Sequence, residues 1–170
     1  MRLSADMVQQ FLKGKIKATL YDKEGGKVIW EYEGKNGITD LGIHYVLDTS
    51  FVDGGTPTPD DTWFAGLIDN DSFTGVAPGD TASSHSGWIE ATAYDEATRE
   101  ALGFSAAAMR SISATISFTM NATKTLRGIF IIGDGTKGGT TGLLFSTALF
   151  AASPTVVSGN VLTITYTLSD

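Results

Sequence analysis

The chain has 170 residues, 42% of them hydrophobic, and carries 12 basic against 19 acidic side chains for a net charge of −7. That length supports one core without covalent staples, and the apolar content excludes intrinsic disorder. The absence of cysteine excludes disulfides, thiolate metal sites and a cysteine nucleophile.

The charge is unevenly spread. Residues 1–35 hold seven basic and five acidic side chains, for +2, and residues 36–170 hold five and fourteen, for −9. An acidic body argues against wrapping nucleic acid. Met1–Asp6 has no apolar stretch of the kind a secretory signal needs. The longest apolar run, Gly142–Ala152, is interrupted by Ser146 and Thr147 and falls short of the roughly 18 residues that span a bilayer. No membrane partner is expected.

In chain order, Ser4 is placed to cap a helix over Ala5–Lys13, with Gly14 as its stop. Lys15–Tyr21 and Lys27–Tyr32 read as strands joined by the glycine turn Asp22–Gly26. Thr39 is a candidate N-cap for a short helix through Asp48, although Gly42 weakens it. Trp63–Ile68 and Trp88–Tyr94 read as strands, and Glu96–Leu102 as one further helical turn. In Arg110–Met120 and Val161–Leu168, apolar residues alternate with serines and threonines, which places Leu162, Ile164, Tyr166 and Leu168 on a core face. Leu126–Gly133 is a β-branched run that suits a strand buried on both faces, with Gly142–Phe150 as its neighbour. The whole predicts an all-β, jelly-roll-like sandwich with one or two short helices, and an immunoglobulin-like sandwich fits the same periodicity. Residues 1–27 are expected as an N-terminal arm or hairpin, and 28–170 as the sandwich domain.

Several clusters invite a chemical reading. Asp80, Ser83, Ser84 and His85 are the residue types of a hydrolytic triad, but no G-x-S-x-G elbow accompanies them, so a hydrogen-bonded loop is expected. Asp69 and Asp71 have the spacing of a calcium-loop start, with Asp80 at the twelfth position, and an Asx-type turn fits equally. His44 and His85 have no partners at zinc spacing, and the glycines of 133–142 lack phosphate-cradle spacing. Trp30, Trp63 and Trp88 are either a sugar-binding face or core. No catalytic residue, cofactor or metal is expected. The charge split instead suggests a docking arm, with Met7, Phe11 and Leu12 as apolar anchors and Lys13, Lys15 and Lys17 facing an acidic partner. Alternatively, the segment packs at home as a hairpin through Ile16, Ala18 and Leu20.

The segments Lys35–Gly42, Trp63–Asn70, Gly79–Glu90, Tyr94–Arg99 and Gly139–Phe150 resemble a group of small, β-rich bacteriophage virion proteins, over roughly residues 28–170. The resemblance implies a non-enzymatic structural protein, most of all a capsid decoration (cement) protein. Such a protein would be a jelly-roll-like homotrimer on the capsid surface, bound to the major capsid protein and made in the host cytoplasm. A tail, collar or fibre-associated virion protein and a glycan-binding module are the alternatives.

Overall fold

The structure, a computed structural model, describes residues 12–23, 26–51, 62–104 and 106–169. Period-two alternation dominates it. In chain order the strands are β1 (Lys13–Tyr21), β2 (Val28–Lys35), β3 (Gly37–Ile38), β4 (Trp63–Asp69), β5 (Glu90–Ala91) and β6 (Glu100–Leu102). They continue with β7 (Ser111–Thr119), β8 (Lys124–Ile132), β9 (Leu144–Leu149), β10 (Thr155–Val156) and β11 (Val161–Ser169), and helix α1 (Asp40–Phe51) follows β3.

Two antiparallel sheets form an all-β sandwich. Sheet A has the order β2-β1-β11-β7. Sheet B has the order β3-β9-β8-β4-β5, with β6 beside β5 along β4 and β10 beyond β9 along β8. Ile16, Ala18, Leu20, Ile116, Phe118, Leu162, Ile164 and Tyr166 of sheet A are buried against Leu67, Leu126, Ile129 and Ile131 of sheet B. Leu168, expected on the same face, is half-buried and packs against that cluster. Burial of each of the larger aliphatic and phenylalanine side chains among these contributes about 1.5–3 kcal/mol.

Sheet B is also covered on its far face, where Ile68, Ala82, Trp88, Phe130, Ile132 and Leu144 form a second cluster. This double burial explains the unbroken apolar run of β8. Helix α1 is capped as expected: the Thr39 Oγ1 accepts the Gly42 N–H at 3.0 Å and also donates to the Leu144 carbonyl. Gly42 has a packing role, because a Cβ there would lie 2.3 Å from the Phe145 carbonyl oxygen. The residue that lowers helix propensity is the one that lets the helix lie on β9.

Two expectations need correction. Trp88–Tyr94 is not a continuous strand: only Glu90–Ala91 pairs with β4, and Tyr94 forms a lone bridge to Met120. Glu96–Leu102 is not helical, because Glu96 accepts the Thr119 N–H and Glu100–Leu102 pairs with β4. Of the helix expected over Ala5–Lys13, residues 5–11 lie outside the described residues, and Lys13 opens β1. Of the segment 1–27 expected as an arm or hairpin, β1 lies between β2 and β11 in the middle of sheet A.

The alternation on β11 makes a direct test. Ile164→Asp puts an unpaired charge at a fully buried site, and the expected loss is several kcal/mol, about 3 or more. Thr165→Asp, one residue along on the outer face, is expected to cost less than about 1 kcal/mol. Equal melting temperatures for the two variants would show that the face is assigned wrongly.

Candidate functional site

The residues that suggested chemistry in the sequence are held in loops by their own hydrogen bonds. The Asp80 Oδ2 accepts the Trp88 Nε1–H and the Ala77 N–H, both at 2.9 Å. The His85 ring stacks on Trp88 at 3.9 Å, and its Nδ1 donates to the Trp88 carbonyl at 3.0 Å, which fixes the proton on that nitrogen. Ser83 and Ser84 contact Thr81. Asp80 and His85 therefore both serve Trp88, which is buried against Phe130, and the triad geometry of nucleophile to base to acid is not formed.

The Asp69–Asp71 pair is closed by a cation from the chain itself. Lys124 Nζ lies 2.8 Å from the Asp69 carboxylate and 2.9 Å from that of Asp71. These hydrogen bonds raise the Lys124 ammonium above the ordinary lysine range. Asp69 also accepts the Asp71 N–H at 2.9 Å, the Asx turn weighed from the sequence. Asp80 is engaged with Trp88 instead of joining this pair. A lysine thus holds the place a divalent ion would take.

Sequence reasoning missed Arg99. Its guanidinium is buried, pairs in a bidentate manner with Glu90 at 2.8 and 3.1 Å, and donates to the carbonyls of Asp134 and Gly139. Glu90 also accepts the Gly138 N–H, and the guanidinium lies over the Phe130 ring. This charge-assisted network ties the glycine-rich loop 133–143 to the edge of sheet B. A single arginine in a loop carries no spacing signal that would have marked it.

The three tryptophans do not share a face. Trp88 is in the second core, Trp30 packs on Phe150 and Tyr32, and Trp63 packs between Tyr45 and Phe145. Of the proposed docking residues, Met7 and Phe11 lie outside the described residues. Leu12 lines an apolar cavity of about 500 Å³, together with Tyr45, Trp63, Phe104, Phe145 and Leu168, at the α1 end of the sandwich. Lys13, Lys15 and Lys17 are exposed on the outer face of β1, held in the sheet rather than on a free arm.

The same outer face continues over β11 and β7 as hydroxyls. Thr115 pairs with Thr165, and Ser117 with Thr163, each at 2.9 Å between oxygens. On the β2 side Lys15 forms an ion pair with Glu33, which lowers the Glu33 carboxyl below its ordinary value. Sheet A therefore presents a lysine row beside a row of short hydroxyl side chains. No family model matches the chain, and no curated protein matches it.

Two measurements probe these loops. Arg99→Ala is expected to cost about 3–5 kcal/mol by leaving Glu90 charged and unpaired, and the double variant with Glu90→Gln to recover part of that loss. Additive losses would show that the pair is not coupled. Glu100 is raised above the ordinary carboxyl range by burial and by the nearby Glu96. The folded chain thus binds this proton more tightly than the unfolded one, and stability falls as pH rises through the folded-state value. Glu100→Gln is expected to stabilise at neutral pH by less than about 1 kcal/mol, with the difference gone below about pH 4. A Gln variant less stable than the parent at neutral pH would reverse that sign.

Proposed function

We propose that the chain is a non-enzymatic structural protein of a bacteriophage virion. In this reading it is a capsid decoration protein that sits on the outer lattice, contacts the major capsid protein and self-associates as a homotrimer. The observation that carries the proposal is the outer face of sheet A. It presents Lys13, Lys15 and Lys17 on β1 and, beyond the threonines of β11, the exposed hydroxyls of Ser113, Thr115 and Ser117 on β7, with no element of the described chain packed over it. The acids and histidine that could do chemistry hold loops in place instead.

A decorating protein must fold by itself and then gain affinity from modest contacts repeated over neighbouring subunits. Linked contacts act at high effective concentration, so no single deep pocket is required. Lysines at an acidic partner surface speed the encounter and set the register. The resemblance of Trp63–Asn70 and Gly79–Glu90 to phage virion proteins supports the same reading.

The test is binding of purified chain to particles stripped of it, with the bound protein located by labelled negative-stain imaging. Label on the heads, and light scattering that returns a trimer, are expected. The triple variant Lys13→Glu, Lys15→Glu, Lys17→Glu is expected to melt near the parent and to bind at least about tenfold more weakly, with the parent's affinity falling as salt rises. Label confined to tails would favour the tail alternative, and absence from particles would defeat the proposal.

A further inference from the structure

The core is sealed at one end of the sandwich and unsealed at the other. At the sealed end Phe118, Met120, Leu126, Val156 and Leu162 are at most 1% exposed. At the α1 end the same inward rows finish in Ile112 on β7 and Leu168 on β11, both half-buried. Trp63, which opens β4, and Phe104, just after β6, are half-buried as well. These four side chains, with Tyr45 and Val46 of α1, line the apolar cavity of about 500 Å³. Leaving them to water forfeits roughly 25 cal/mol per Å² of apolar surface.

The chain enters sheet A at the wall of this cavity. On β1 the inward positions are Gly14, Ile16, Ala18 and Leu20. Alternation makes Leu12 the next member of that row, and Leu12 lines the cavity. Phe11 is bonded to it, so the Phe11 Cα lies about 3.8 Å from that of a wall residue. A strand continued upstream would turn Phe11 to the outer face, but the sequence there has a different period. Leu3, Met7, Val8, Phe11 and Leu12 fall at i, i+4, i+5, i+8 and i+9, which is one face of a helix, with Ser4, Asp6, Gln9 and Gln10 off that face.

Of the chain outside the described residues, this leading segment is the part with the composition to fill an apolar space. Residues 52–61, which precede Trp63, hold one aliphatic side chain, Val52, against three aspartates, and residue 105 is a single serine. A second copy or a free apolar molecule would have to compete with a segment already tethered to the wall. Such a tether acts at an effective concentration on the order of millimolar.

We infer that the apolar face of residues 1–11, with Met7, Val8 and Phe11 continuing from Leu12, docks in this cavity and seals the α1 end of its own chain. The leading segment is then part of the core and not an arm held out to another subunit. Lys13, Lys15 and Lys17, on the outer face of β1, are left as the basic groups of this region that can meet a partner. The inference does not rest on the virion reading, because the seal is a property of one folded chain.

The experiment uses the full-length chain, whose lack of cysteine makes any introduced thiol pair readable. Met7→Cys is combined with Ala107→Cys, an exposed position on the cavity lining, and treated with a short bismaleimide. A link within one chain is expected, and none when Met7→Cys is paired with Thr165→Cys on the outer face of sheet A. The two single variants, Met7→Cys and Ala107→Cys, refolded together should give no covalent dimer. Met7→Ser with Phe11→Ser should lower the melting temperature by at least about 5 °C. It should also take up the apolar dye anilinonaphthalene sulfonate, which the parent excludes, while Gln9→Ser with Gln10→Ser behaves as the parent. Absence of the internal link, or covalent dimers from the mixed single variants, would overturn the inference, and this holds even if the serine variant does not fold. Dye uptake by the parent would show an open cavity, and dye exclusion by the serine variant a different occupant; either result defeats the proposal. A serine variant that melts with the parent but no longer binds stripped particles would make the segment a docking arm, again against the inference.

Discussion

The fold depends on β8 being apolar on both faces. Ile129 and Ile131 enter the core shared with sheet A, whereas Phe130 and Ile132 face the opposite way. Exposed to water, that second row would forfeit several kcal/mol of burial, on the order of 2 per side chain. A two-layer sandwich is therefore insufficient here, and chain from 70 to 89 must supply a third, irregular layer. Loops make poor layers because their backbone polar groups need partners. The Asp80–Trp88–His85 arrangement and the Arg99–Glu90 network meet that need: each fixes an irregular segment against β8 by hydrogen bonds to main chain.

This changes how the polar clusters are understood. A carboxylate that accepts an indole N–H, or a histidine stacked on the same indole, has the composition of a site and the geometry of a brace. The difference lies in direction. Catalytic groups converge on a space that a substrate can enter, whereas Asp80 and His85 converge on Trp88, and Asp69 and Asp71 on Lys124. Each cluster is engaged by groups of the chain itself.

How much of this was legible in the sequence follows from the range of the forces involved. The alternation in β7 and β11, the double-faced β8, the β1–β2 hairpin and the Thr39 cap are local patterns, and the structure has them where the pattern puts them. Glu96–Leu102 and Trp88–Tyr94 were misread because distant partners decide them: Thr119 draws Glu96, β4 draws Glu100–Leu102, and Asp80 draws Trp88. Arg99 was invisible for the same reason, since its meaning comes from Glu90 and from two carbonyls in a loop about forty residues on. The lysines of β1 were legible as a basic row but not as part of a central strand.

An interaction surface made of main-chain groups leaves almost no trace in sequence. The exposed hydroxyls of β7 illustrate this, since serines and threonines occur in any solvated strand. Side-chain motifs announce chemistry because few residue types can do it, but every residue except proline carries an N–H and a C=O. Among the described residues, where the polar clusters named above hold the chain's own loops, the groups exposed on the outer face of sheet A are the lysines of β1 and, across β11, the hydroxyls of β7.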